Sequence, residues 1–151
     1  MGFFTSARQG RKDDAELGTG LWRRAHDRFH RGLDRYHQVL EGVEDPQLYE
    51  ELVDIANELA ALSPRVRLVC VEAQRRSPSD GLDIPGALAG VHRSLSKAGN
   101  SLATTAEAAA MLRLAVGPVP VGAASVRRRA EAVFEQIADA EHRLMDSLPE
   151  S

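Results

Sequence analysis

Two histidines one helical turn apart, His26 and His30, are the side chains of this chain best placed to do chemistry. A spacing of four puts both imidazoles on one face of a helix, as two ligands of a single metal ion require. A third ligand has to come from another element. Were the last helix to lie antiparallel beside the first, residue 142 would stand level with residue 26. The helical wheel then turns His142 outward and Glu141 inward, so His26, His30 and Glu141 make up the candidate metal or small-ligand set. His37 sits about 10 Å farther along the axis than His30, too far to share an ion. The paired Glu-x-x-His helices of di-iron bundles do not occur. Asp27-x-x-His30, Asp34-x-x-His37 and Asp139-x-x-His142 read as charge contacts at i,i+3. The plainer reading is boundary histidines bonded to carboxylates, and no cofactor is expected.

Other chemistry finds less support. The sequence holds no G-x-S-x-G elbow, no phosphate-cradling glycine loop and no C-x-x-C pair. The single cysteine, Cys70, follows Val69 in an apolar stripe and reads as a small core residue. Ser94, Ser96 and Ser101 share a helix with His92, but no third catalytic partner accompanies them. A non-enzymatic protein is therefore expected.

Charge is more patterned. With Trp22 at 0° on the wheel, Arg24, Arg28, Arg31 and Arg35 fall between about 180° and 240°, opposite the apolar side. Such a stripe could face a polyanion. Residues 41–62, however, carry seven acids and no base. In an antiparallel pair, Arg35 would lie level with Glu51, Arg31 with Asp54 and Arg28 with Glu58. Rim ion pairs are the expected use of these arginines, and with a net charge of −3 nucleic acid is disfavoured as a partner. Two further segments are candidate partner-binding sites. One is the N-terminus, where Phe3 and Phe4 precede Arg8, Arg11 and Lys12, an aromatic and basic anchor suited to a protein groove or an anionic membrane surface. The other is the loop from Gly117 to Gly122, in which Pro118 and Pro120 hold Val119 and Val121.

The elements that would position these groups are legible in the apolar spacing. Trp22, Ala25, Phe29, Leu33, Tyr36 and Leu40 step by three and four. So do Leu48, Leu52, Ile55, Leu59, Leu62, Val66, Val69 and Ala73, a register that Pro64 leaves unbroken, which favours one long bent helix. A third run goes from Leu88 to Val116 and a fourth from Val126 to Leu144. Four helices, about 20–42, 46–76, 85–116 and 123–148, joined by short connections predict an all-α, up-down-up-down antiparallel four-helix bundle, residues 20–149, behind an N-terminal tail of residues 1–19. Nothing alternates as a strand would.

At 151 residues the chain is long enough for one domain with a full core, and one cysteine excludes a disulfide framework. No apolar run reaches transmembrane length, and the N-terminus lacks the apolar core of a secretory signal. Arginine outnumbers lysine 17 to 2, a bias of GC-rich bacterial genomes. The expectation is a small bacterial cytoplasmic bundle that acts through an unidentified protein partner or a second copy of itself. The alternatives are a metal- or ligand-binding bundle using His26, His30 and Glu141, and a peripheral membrane adaptor using the N-terminal segment.

Overall fold

The computed structural model describes residues 2–81, 83, 86–114 and 122–148, except for the side chains of residues 2–6. Among them there is no strand. The helices are α1 (Gly2–Leu17), α2 (Leu21–Glu41), α3 (Pro46–Ala60), α4 (Ser63–Arg76), α5 (Ala89–Leu114) and α6 (Ala124–Asp146), with a 3₁₀ turn, Gly86–Leu88, leading into α5. Several boundaries have an identifiable cause. Gly18 takes φ +71°, the left-handed conformation that ends α1, and its N–H returns to the Asp14 carbonyl at 3.2 Å. The Leu21 N–H at the head of α2 is capped from a distant loop, by Ser79 Oγ at 3.1 Å. Asp45 caps α3, accepting from the Gln47 and Leu48 N–H groups at 2.9 and 3.0 Å, with Pro46 in the first turn.

Two expectations about the elements change. Residues 1–19 hold helix α1 instead of an irregular tail. It is held against the bundle by the fully buried Leu17 and by the acids before it, which reach arginines of α2 and α4. The second helix is two. Pro64 has no N–H to give to the carbonyl four residues back, so α3 stops at Ala60 and α4 restarts at Ser63. The register still carries across the break, because Leu59, Leu62 and Val66 are all buried.

The core is one cluster. Phe29, Leu52, Ile55, Leu59, Val91, Leu95, Leu102, Val133 and Ile137 all belong to it, each at most 5% exposed. Tyr36 lies inside and donates its hydroxyl to the Leu52 carbonyl at 2.8 Å.

Which helices are neighbours differs from a simple antiparallel ring. Helix α2 packs on α5 and on α3 and α4, and α6 packs on the same three helices. Tyr36 meets Leu52, His30 meets Ser63 and Trp22 meets Ser77, so α2 and the α3–α4 pair are antiparallel. Ser94 meets Asp139 and Gly90 meets Arg143, so α5 and α6 are antiparallel too. The two hairpins, however, lie side by side in parallel. Along α2 and α5, Trp22 faces His92, Arg28 faces Asn100, Gly32 faces Leu102 and Gly42 faces Arg113. Along α3–α4 and α6, Glu58 faces Arg127 and Arg76 reaches Ser147. The close approach of α2 to α5 needs Gly32, where an added Cβ would lie 2.7 Å from Leu102 Cδ2.

Candidate functional site

This arrangement gives the histidine face of α2 a different neighbour from the expected one. It faces α4 and α1, not α6. His26 and His30 are brought together, with ring centroids 4.4 Å apart and planes tilted by 43°. They line a groove of about 490 Å³ with Gln9 and Asp13 of α1, Asp27 of α2, and Ser63, Pro64 and Arg67 of α4. His26 is 5% exposed. Its Nδ1 lies 3.0 Å from Asp27 Oδ1, while its Nε2 is buried with no hydrogen-bond partner among the described residues. His30 Nε2 lies 3.1 Å from Ser63 Oγ. Burial first, and then the neighbouring His26, hold His30 below the usual imidazole pKa. His30 therefore favours its neutral form, which can accept a hydrogen bond.

The floor and wall of the groove are ionic. Arg67 reaches across to Asp13 at 2.8 Å and Glu16 at 2.9 Å. Burial raises the Asp13 pKa, but hydrogen bonds from Gln9 and Arg67 outweigh it and leave the carboxyl below its ordinary value. Arg23 ties Asp14 of α1 to Asp27 of α2, at 2.7 and 3.1 Å. Glu141, the third residue of the expected set, lies in the fork of Arg65 at 2.5 and 3.0 Å. Among the described residues no group of three His, Cys, Asp or Glu side chains is placed to hold a metal ion.

Ser63, Asp13 and Arg67 escaped the sequence reading. Nothing in the spacing joined residues 13 and 67, which meet because α1 folds back over the α2–α4 seam. His37 and His142 are exposed. His92 is half-buried, packed edge-on against Trp22 at 5.9 Å, and burial lowers its pKa. Ser94 donates to Asp139 and not to His92. Cys70 is fully buried and its thiol pKa is pushed up to about 12, which removes it as a nucleophile at neutral pH.

The charge pairing expected between α2 and α3 is absent among the described residues. Glu58 pairs with Arg127 and Glu51 accepts the Ala123 N–H, both on the side of α6. The parallel packing explains it: the outer flank of α3 leans toward α6, and the arginine flank of α2 leans toward α5. Arg24, Arg28, Arg31 and Arg35 are all exposed. Arg28 donates to Asn100 of α5, and no carboxylate of the described residues forms a salt bridge with any of the four.

Of the candidate partner-binding residues, Arg8, Arg11 and Lys12 are exposed on α1. The side chains of Phe3 and Phe4, and all of Val119 and Val121, lie outside the described residues. No described helix is long and apolar enough to cross a membrane. Comparison of the chain with protein-family models, curated proteins and solved structures finds no match.

Proposed function

We propose that the chain is a non-enzymatic interaction protein: a four-helix scaffold of up-down-up-down chain direction, formed by α2, α3–α4, α5 and α6, that presents α1 to a protein partner. The observation that carries this reading is how α1 is held. Among the described side chains, its contacts with the bundle gather at its C-terminal end, through Asp13, Asp14, Glu16 and the buried Leu17. The half before them places Arg8, Arg11 and Lys12 in solvent. A helix anchored at its C-terminal end, with the described side chains of residues 7–12 turned mostly to solvent, suits presentation better than core building.

Deleting residues 1–12 tests it. The deletion spares the anchor, so the truncated protein should keep its helical circular dichroism and a cooperative melt. Its molar mass by light scattering, or its recovery of a partner that the full chain binds, should change. If the truncated and full-length proteins agree in both, α1 is an appendage and the proposal fails.

A second reading, a small-ligand or metal groove, is supported by the unpartnered, buried His26 Nε2 beside His30. Titration with zinc, followed by the histidine ring resonances in nuclear magnetic resonance, tests it. Saturable shifts of both rings at stoichiometric zinc would favour this reading, and no shift would remove it.

A further inference from the structure

We propose that the arginine stripe of α2 is a binding surface for the phosphodiester backbone of nucleic acid, read without regard to base sequence. Arg24, Arg28, Arg31 and Arg35 recur at steps of four, three and four along one exposed line of a single helix. At 1.5 Å per residue the line is about 16 Å long. One strand of a duplex carries a charge about every 3.4 Å along the axis, so the stripe spans roughly five phosphates with four guanidinium groups. Arg93 of the neighbouring α5 is exposed as well, adding charge near the Arg24 end. The acids beside this line are Asp27 and Asp34 of α2 and Glu107 of α5; Asp27 is tied to Arg23 at 3.1 Å, and the other two are exposed toward the Arg35 end. On α3, Glu51 and Glu58 are engaged on the side of α6.

The kind of anion follows from energetics. An exposed arginine meeting a carboxylate gains about 0–1 kcal/mol, because both ions surrender good hydration for a screened contact. An acidic protein segment therefore gains little from four such pairs. Nucleic acid differs because its condensed counterions are released when a phosphate is neutralised, so exposed, unpocketed arginines suffice. A planar anionic membrane would attract the same arginines but would gain nothing from insertion at this face, because the apolar side of α2 is in the core. The stripe also lies on the α5 side of α2, away from α1, so this inference stands apart from the reading of α1.

The test uses the full chain and two fluorescent probes, a 20-base-pair DNA duplex and a 20-nucleotide single strand, with binding followed by anisotropy between 50 and 200 mM salt. Four neutralised phosphates give a slope of log K against log salt near −3.6 for the duplex and −2.8 for the single strand. Affinity should thus fall about 150-fold and about 50-fold across that range. The triple variant Arg24→Gln/Arg31→Gln/Arg35→Gln leaves Arg28 and its Asn100 contact intact. It should keep the wild-type melting temperature and show a duplex slope near −0.9. Should the triple variant not fold, Arg31→Gln alone should flatten the slope by about 0.9. Arg128→Gln/Arg129→Gln, on the exposed side of α6, should change nothing. The proposal is overturned if neither probe binds at 50 mM salt, or if the folded α2 variants bind as tightly as wild type. It is equally overturned if phosphatidylserine vesicles or poly-glutamate bind more tightly than DNA at matched charge, which would assign the stripe to a membrane or an acidic protein.

Discussion

Replacing Leu17 with alanine should destabilise the whole protein, although sequence periodicity places this residue in no helix. Leu17 is fully buried where α1 meets the bundle and belongs to the same apolar cluster as Trp22 and Val69. Removing a buried leucine side chain costs about 2–5 kcal/mol, from lost transfer energy and the cavity left behind. For a domain of this size each kcal/mol shifts the melting temperature by about 2–4 °C, so a drop of roughly 5–15 °C is expected. The ionic contacts give the contrast. Arg67, which binds Asp13 and Glu16, is about a quarter exposed, and Arg67→Gln should cost about 1 kcal/mol or less. The assay is urea unfolding followed by circular dichroism, with thermal melts alongside. A Leu17→Ala protein melting within about 2 °C of wild type would refute the reasoning, because α1 would then lie outside the cooperative unit.

Two further outcomes follow from the packing and the titrating groups. Gly32→Ala places a Cβ 2.7 Å from Leu102 Cδ2, so either the fully buried Leu102 side chain or the two helices must shift, and urea unfolding should show a loss of about 1–3 kcal/mol. If Gly32→Ala is neutral, the two helices are not in close contact. The second concerns pH. Burial lowers the pKa of His30 and of His92 below the ordinary histidine value of 6.5, so the unfolded chain binds more protons than the native one in the window just below that value. Stability should be complete above about pH 6.5 and should fall as the pH drops below it. His30→Gln should flatten that fall, and a variant with an unchanged pH profile would show that His30 is not buried against His26.

Much of the secondary structure was already present in the residue spacing. The apolar steps of three and four from Trp22 to Leu40, Leu48 to Ala73, Leu88 to Ala109 and Val126 to Leu144 mark helices whose stripes are buried almost throughout, Ala25 being half-buried, because a helix can shelter apolar groups only along one side. The pairing of His26 with His30 followed likewise from a single turn of α2. Helix α1 was not legible, since its polar residues give no stripe and Leu17, the one buried among its described side chains, acquires meaning only from the surface it meets. Nor could spacing decide the neighbours of each helix. An apolar stripe says which side faces inward, but it is indifferent to which other stripe it meets, and two hairpins can pack antiparallel or parallel with the same core. The glycine at position 32 and the kink at Pro64 admit the parallel packing seen here. That choice turned the histidines toward Ser63 and α1, sent Glu51 and Glu58 to α6, placed Glu141 against Arg65, and left the four arginines of α2 facing water.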